Sequence, residues 1–91
     1  MNNMDDKQVA DRLLAVVAPG DETIAGWIRA GESILAVATL IEVAAQNRKP
    51  IPDDLRAAVQ TLVDEDTFDA DERREVVEDL ATIRDLAPFH V

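Results

Sequence analysis

The sequence contains no cysteine and no tyrosine, and it has a single histidine and a single serine. Without cysteine the chain cannot form disulfides, thiolate metal sites or a thiol nucleophile, so apolar packing is the evident source of its stability. A Ser-His-Asp triad would have to bring His90, close to the last residue of the sequence, back onto Ser33. We therefore predict no catalytic residues and no enzymatic activity.

Glycine is also scarce, with three residues at positions 20, 26 and 31. These glycines do not form the closely spaced loop that cradles phosphate groups, so the sequence predicts no nucleotide cofactor. The sequence carries no other cofactor signature, and we expect no bound metal. No segment alternates apolar and polar residues with a period of two, which argues against a β-sheet.

Positive charge is low: nine basic residues stand against nineteen acidic ones, which gives a net charge of −10. A field of this sign opposes binding to DNA or RNA phosphates, so we expect no direct nucleic-acid contact. It favours a protein partner with a basic surface. The alternative is that the acidity serves only solubility.

The longest apolar run is Ile34–Ala45, in which only Thr39 and Glu42 are polar. A helix that is apolar on nearly every side must be covered on nearly every side. It would span roughly 18 Å, well short of the ~30 Å hydrocarbon core of a bilayer, and so it predicts a core helix without membrane insertion. The first six residues lack the pattern of a signal peptide, which predicts a cytoplasmic protein.

Helix-start and helix-stop signals divide the rest of the chain around this segment. Asp5, Asp21 and Asp69 are predicted N-caps, and Gln8 and Glu72 follow two of them at the spacing of a capping box. The fold prediction is all-α, a compact bundle of four to five short helices around a central apolar helix at about 33–47. We predict that residues 1–91 form one domain, with fraying expected at 1–5 and 88–91.

Apolar periodicity predicts which side chains enter the core. Trp27, the only tryptophan, is predicted to anchor the core at the start of the central helix. In the last helix the residues predicted to point inward are Val76, Val77, Leu80, Ile83 and Leu86. The segment 64–69 is predicted to end the fourth helix, and the last helix is predicted to continue from the Asp69 cap to about Leu86.

The span from Asp64 to Glu75 has the length of a calcium-binding loop, and it has acidic residues at loop positions one, three, nine and twelve. Position five, where an oxygen ligand is required, is Phe68, and position six, where the turn requires glycine, is Asp69. Asp69 also competes as a helix cap, which would place Glu75 inside a helix. We therefore predict no calcium site.

Acidic residues are concentrated near the end of the sequence, where 64–85 holds ten acids and three arginines, a charge of −7. An acidic helical face can steer a basic partner into contact. We predict a small bacterial or phage regulator or inhibitor that docks on a protein, with a DNA mimic, an antitoxin or an immunity-type inhibitor as further alternatives. The predicted partner-binding residues are Asp71, Glu75, Glu78, Asp79 and Asp85. The alternative for this face is that it is merely solvated.

A different class of function follows from the central helix. Ile34, Val37 and Ile41 form one apolar side of it, and a single layer of short helices could leave that side uncovered. An uncovered side would pair with a second copy of the chain, making the protein a self-associating structural or accessory subunit. Under this alternative the three residues form a homodimer interface.

Overall fold

The computed structural model describes residues 4–86 and consists of five helices joined by short connections. These are α1 (Asp6–Val17), α2 (Glu22–Arg29), α3 (Ser33–Gln46), α4 (Asp53–Asp64) and α5 (Ala70–Arg84). Residues 4–86 contain no strand, which confirms the predicted all-α class. Positions 1–3 and 87–91, including most of the ends predicted to fray and the Phe89–Val91 segment, lie outside the described residues.

The predicted N-caps are confirmed by backbone hydrogen bonds. Asp5 Oδ1 accepts from the Gln8 amide at 2.8 Å, and the Gln8 side chain accepts from the Asp5 amide at 3.0 Å, which completes a capping box. Asp21 accepts from the Ile24 amide at 3.0 Å. Asp69 accepts from the amide three residues later at 2.8 Å. Three of the five helices therefore begin where a carboxylate satisfies a free backbone amide.

Helix α3 is the centre of the bundle, as predicted. It packs against α1, α2 and α5, while α4 packs against α1 and α5. Trp27 on α2 is partly buried against the core, in agreement with its predicted place. On α3 the fully buried residues are Ala36, Val37, Leu40, Ile41 and Ala44.

The self-association surface predicted on α3 is not a surface in the folded chain. Val37 and Ile41 are 0 % exposed, and Ile34 is partly buried against the same core. The physical reason is that α3 packs against three helices, α1, α2 and α5, and the bundle leaves Val37 and Ile41 no exposed surface. A second copy could reach these two residues only if the bundle opened.

Two of the connections contribute buried side chains that periodicity did not predict. Ile51 lies between α3 and α4, and Phe68 lies between α4 and α5; both are buried in the core. In the first of these connections the ammonium of Lys49 donates to the carbonyl of Val17 at 3.2 Å. The connection thereby holds the end of α1, whose last turn has no basic residue of its own.

Helix α5 buries Val76, Leu80 and Ile83, as predicted, but not Val77. Val77 is 44 % exposed. In the described part of the chain Leu35 is the other large apolar residue with an exposed side chain, at 39 %. Successive residues of a helix point about 100° apart, so the turn that buries Val76 against the core directs Val77 sideways. Val77 therefore lies at a groove between α4 and α5.

Candidate protein-binding surface

The outer sides of α3 and α5 meet in a cleft of ≈ 180 Å³. Each helix contributes the first, fourth, fifth and eighth residues of an eight-residue segment. This spacing places each set of four on a single helix face. We call this the acidic cleft; it is lined by Leu35, Ala38, Thr39 and Glu42 of α3 and by Glu72, Glu75, Val76 and Asp79 of α5.

Four of the eight lining residues carry carboxylates, and no lysine or arginine lines the cleft. None of the ion pairs formed within residues 4–86 includes any of these four carboxylates. The amide of Gln46 donates to Glu42 at 3.3 Å and adds no charge. The acidic cleft is therefore a concentrated negative surface between two packed helices.

Asp79 is the carboxylate most strongly affected by this arrangement. Partial burial raises its pKa above the ordinary 3.8, and the negative charges of Glu42, Glu75 and Glu78 raise the pKa further. These neighbours come from both helices, so the charges of the cleft act on one another across it. A cation placed among them would relieve this repulsion.

The raised pKa of Asp79 gives a pH-dependent prediction. Because the folded state binds the Asp79 proton more tightly than the unfolded state, the charged form costs stability at neutral pH, and this cost disappears as the pH falls through the raised pKa. We expect D79N to raise the free energy of unfolding near pH 7 by at most about 0.5 kcal/mol, since solvent screens a partly exposed group. Urea titrations at several pH values measure this difference.

The increase in the free energy of unfolding caused by D79N should shrink as the pH falls. It should vanish below 3.8, where Asp79 is protonated in both the folded and the unfolded state. E65Q is the matched control, because Glu65 is an exposed acid at the end of α4 that makes no ion pair within the described residues. A gain of equal size at neutral and acidic pH would contradict the assignment of this cost to the Asp79 charge.

The structure brings together some of the predicted partner-binding residues and separates others. Glu75 and Asp79 line the acidic cleft, and Glu78 is exposed and close enough to raise the pKa of Asp79. Asp71 and Asp85 lie outside the cleft and pair with arginines of their own helix end. The distances are 2.7 Å from Arg74 to Asp71 and 3.6 Å from Arg84 to Asp85.

Two cleft residues, Glu42 and Glu72, are absent from the predicted set. The sequence did carry a signal for the first, because Thr39 and Glu42 are the two polar interruptions of the apolar run 34–45 and stand three residues apart. Both lie on the side of α3 that faces the cleft. Glu72 follows the cap Asp69 at the spacing of a capping box, but within the described residues only one of the two bonds forms, from the Glu72 amide to Asp69 Oδ1.

Within residues 4–86 no three His, Cys, Asp or Glu side chains converge in a way that could hold a metal ion. Asp69 caps α5 and Glu75 lies inside it, so 64–75 is not folded as one loop. Ser33 is buried at the start of α3. Over the same residues, none of the helices combines the length and apolarity needed to cross a bilayer.

The chain matches no protein-family model, no curated protein and no solved structure.

Proposed function

We propose that this chain is a small, non-enzymatic protein-binding module that docks on the basic surface of another protein through the acidic cleft and the adjoining acidic residues of α5. The observation that carries this proposal is the set of four carboxylates, Glu42, Glu72, Glu75 and Asp79, that line one cleft together with no basic residue. A partner that supplies lysine or arginine side chains there replaces mutual repulsion with attraction.

The margin of the acidic cleft supports the same proposal, because it offers apolar contact as well as charge. Leu35 is 39 % exposed at that margin, and the partly buried Ala38 lies in the same lining. Charge steers a partner and accelerates its association, while buried apolar contact slows its release. A basic amphipathic segment would satisfy both kinds of residue.

The process in which the module acts is proposed from charge alone. Proteins that bind nucleic acid carry basic surfaces of the required kind, so a regulator or inhibitor of such a protein fits the net charge of −10. We propose the cytoplasm of a bacterium, or of a phage-infected bacterium, as the place where it acts. The lack of cysteine is compatible with that reducing compartment.

Affinity capture from a lysate of the source cell tests this proposal. The charge-reversed variant E75K/D79K changes two carboxylates of the acidic cleft, and we expect it to lose the basic proteins that the wild type retains. Retention by the wild type should also fall between about 0.05 M and about 0.5 M ionic strength, because the screening length shortens. Mass spectrometry of the retained proteins measures both effects.

The matched control is E32K/E65K, which changes the net charge by the same amount at two exposed acids outside the cleft. Neither residue forms an ion pair within the described part of the chain. We expect this control to retain the wild-type partners. If E75K/D79K retained the same proteins as the control, the acidic cleft would not be the docking surface.

A further inference from the structure

The charged residues of α5 are divided between its two sides. The acids Glu72, Glu75 and Asp79 lie toward α3. The opposite side carries a stripe of five residues that are alternately four and three positions apart. Core residues of a coiled coil recur at the same intervals. We call this the arginine stripe; it consists of Ala70, Arg74, Val77, Ala81 and Arg84, all exposed except the partly buried Ala81.

The arginine stripe borders a groove of ≈ 290 Å³ between α4 and α5, whose α4 side also carries the polar residues Asp53, Arg56 and Gln60. Val77, Leu80 and Ala81 of α5 and Ala57 of α4 supply its apolar lining, and Arg84 lines it near the end of α5. Along the stripe Val77 lies between Arg74 and Ala81, and the exposed valine followed by a small side chain one turn later leaves a helix face that another helix can approach. The composition of this face indicates a helix as the element that would cover it.

We propose that a second copy of this chain covers the arginine stripe, with the two α5 helices antiparallel across a two-fold axis. Val77 is the middle residue of α5, seven residues from Ala70 and seven from Arg84. A two-fold axis at Val77 therefore overlaps the two helices along their whole length. Each Arg84 then lies about 10.5 Å along the helix from the axis, beside Ala70 of the other copy.

Charge complementarity supports this antiparallel arrangement. Asp69 and Asp71 flank Ala70 at the start of α5, while Arg84 is the basic residue of the last turn. An antiparallel pair places the acids of each copy beside Arg84 of the other and also opposes the two helix dipoles. Within the described residues Arg84 pairs with Asp85 at 3.6 Å, and Asp71 pairs with Arg74 at 2.7 Å. All four side chains are mostly exposed, so exchanging these partners costs little.

The net charge determines how this association should respond to salt. Each copy carries −10, so the two copies repel one another at long range, and added salt screens that repulsion. The dimer should therefore become tighter as ionic strength rises, whereas capture of a basic partner at the acidic cleft should weaken. Salt is therefore expected to have opposite effects on the dimer and on partner capture, so the two proposals can fail separately. The dimer inference does not depend on the proposed function.

Sedimentation equilibrium of the full chain, from about 10 µM to about 1 mM and at low and high salt, tests the inference. We expect a monomer–dimer equilibrium that shifts toward dimer at high salt. The variant V77D places a carboxylate on the two-fold axis and should raise the dimer dissociation constant at least about tenfold. L35D is the matched control, because Leu35 is the other exposed large apolar residue and lies at the acidic cleft; it should leave the constant unchanged.

A charge exchange tests the antiparallel register independently of Val77. R84E would place like charges together at both ends of the interface and should weaken the dimer, and adding D71R should restore it. A monomer at every concentration and salt level would overturn the inference. Equal weakening by V77D and L35D, or an R84E defect that D71R does not repair, would overturn it as well. Circular dichroism confirms that each variant remains helical.

Discussion

Replacing Leu40 with alanine is expected to lower the free energy of unfolding by about 3 kcal/mol. Leu40 lies on α3 and is 0 % exposed. Its removal takes apolar surface out of the core and leaves a cavity that the packed neighbouring side chains cannot fully close. For a domain of this size such a loss is a large fraction of the total stability. Urea denaturation followed by circular dichroism measures it.

The control for this substitution is L35A on the same helix. Both changes replace a helical leucine with alanine, but Leu35 is 39 % exposed at the edge of the acidic cleft. We expect L35A to cost less than about 1 kcal/mol, because surface substitutions remove little buried area. Similar losses for L40A and L35A would mean that α3 is not the centre of the core.

The second large effect is expected at Phe68, which belongs to no helix. Its side chain is 4 % exposed in the connection between α4 and α5. We expect F68A to lower the free energy of unfolding by about 3 to 4 kcal/mol, because an aromatic ring is lost from a closed site. Thermal and urea unfolding should agree on this loss.

Two further variants separate burial of the ring from the shape of the connection. F68L keeps most of the apolar volume and should recover more than half of the loss. T67A changes the exposed neighbouring residue and should cost less than about 0.5 kcal/mol. If F68A and T67A had the same small effect, the Phe68 ring would not anchor α4 to α5.

The sequence predicts most of this fold because its local signals agree with one another. Asp5, Asp21 and Asp69 each precede an apolar period of helical type, and each accepts a backbone amide hydrogen bond in the structure. Phe68 and Ile51 could not be predicted in the same way. Periodicity applies within a helix, and burial of a residue in a connection depends on how the two flanking helices are placed.

The sequence could identify acidic-cleft residues within α5, but it could not show that a residue of α3 joins them. The acidic residues of α5 are adjacent in sequence, so Glu75 and Asp79 could be identified from spacing alone. Glu42 joins them because α3 packs beside α5. Its position as a polar interruption of the apolar run marks an outer side of α3, but it does not indicate which helix lies beside that side. For the same reason Val37 and Ile41 were assigned to a surface, although neighbouring helices cover them.

Trp27 makes the folding of this chain observable in one place. It is the only tryptophan, the sequence has no tyrosine, and its ring packs on the core from α2. Its intrinsic fluorescence therefore reports on the docking of the shortest helix, while the far-ultraviolet ellipticity reports on all five together. Coincidence of the two signals during denaturation would establish that α2 melts with the rest of the bundle, and an earlier change in emission would identify α2 as a separate unit of unfolding.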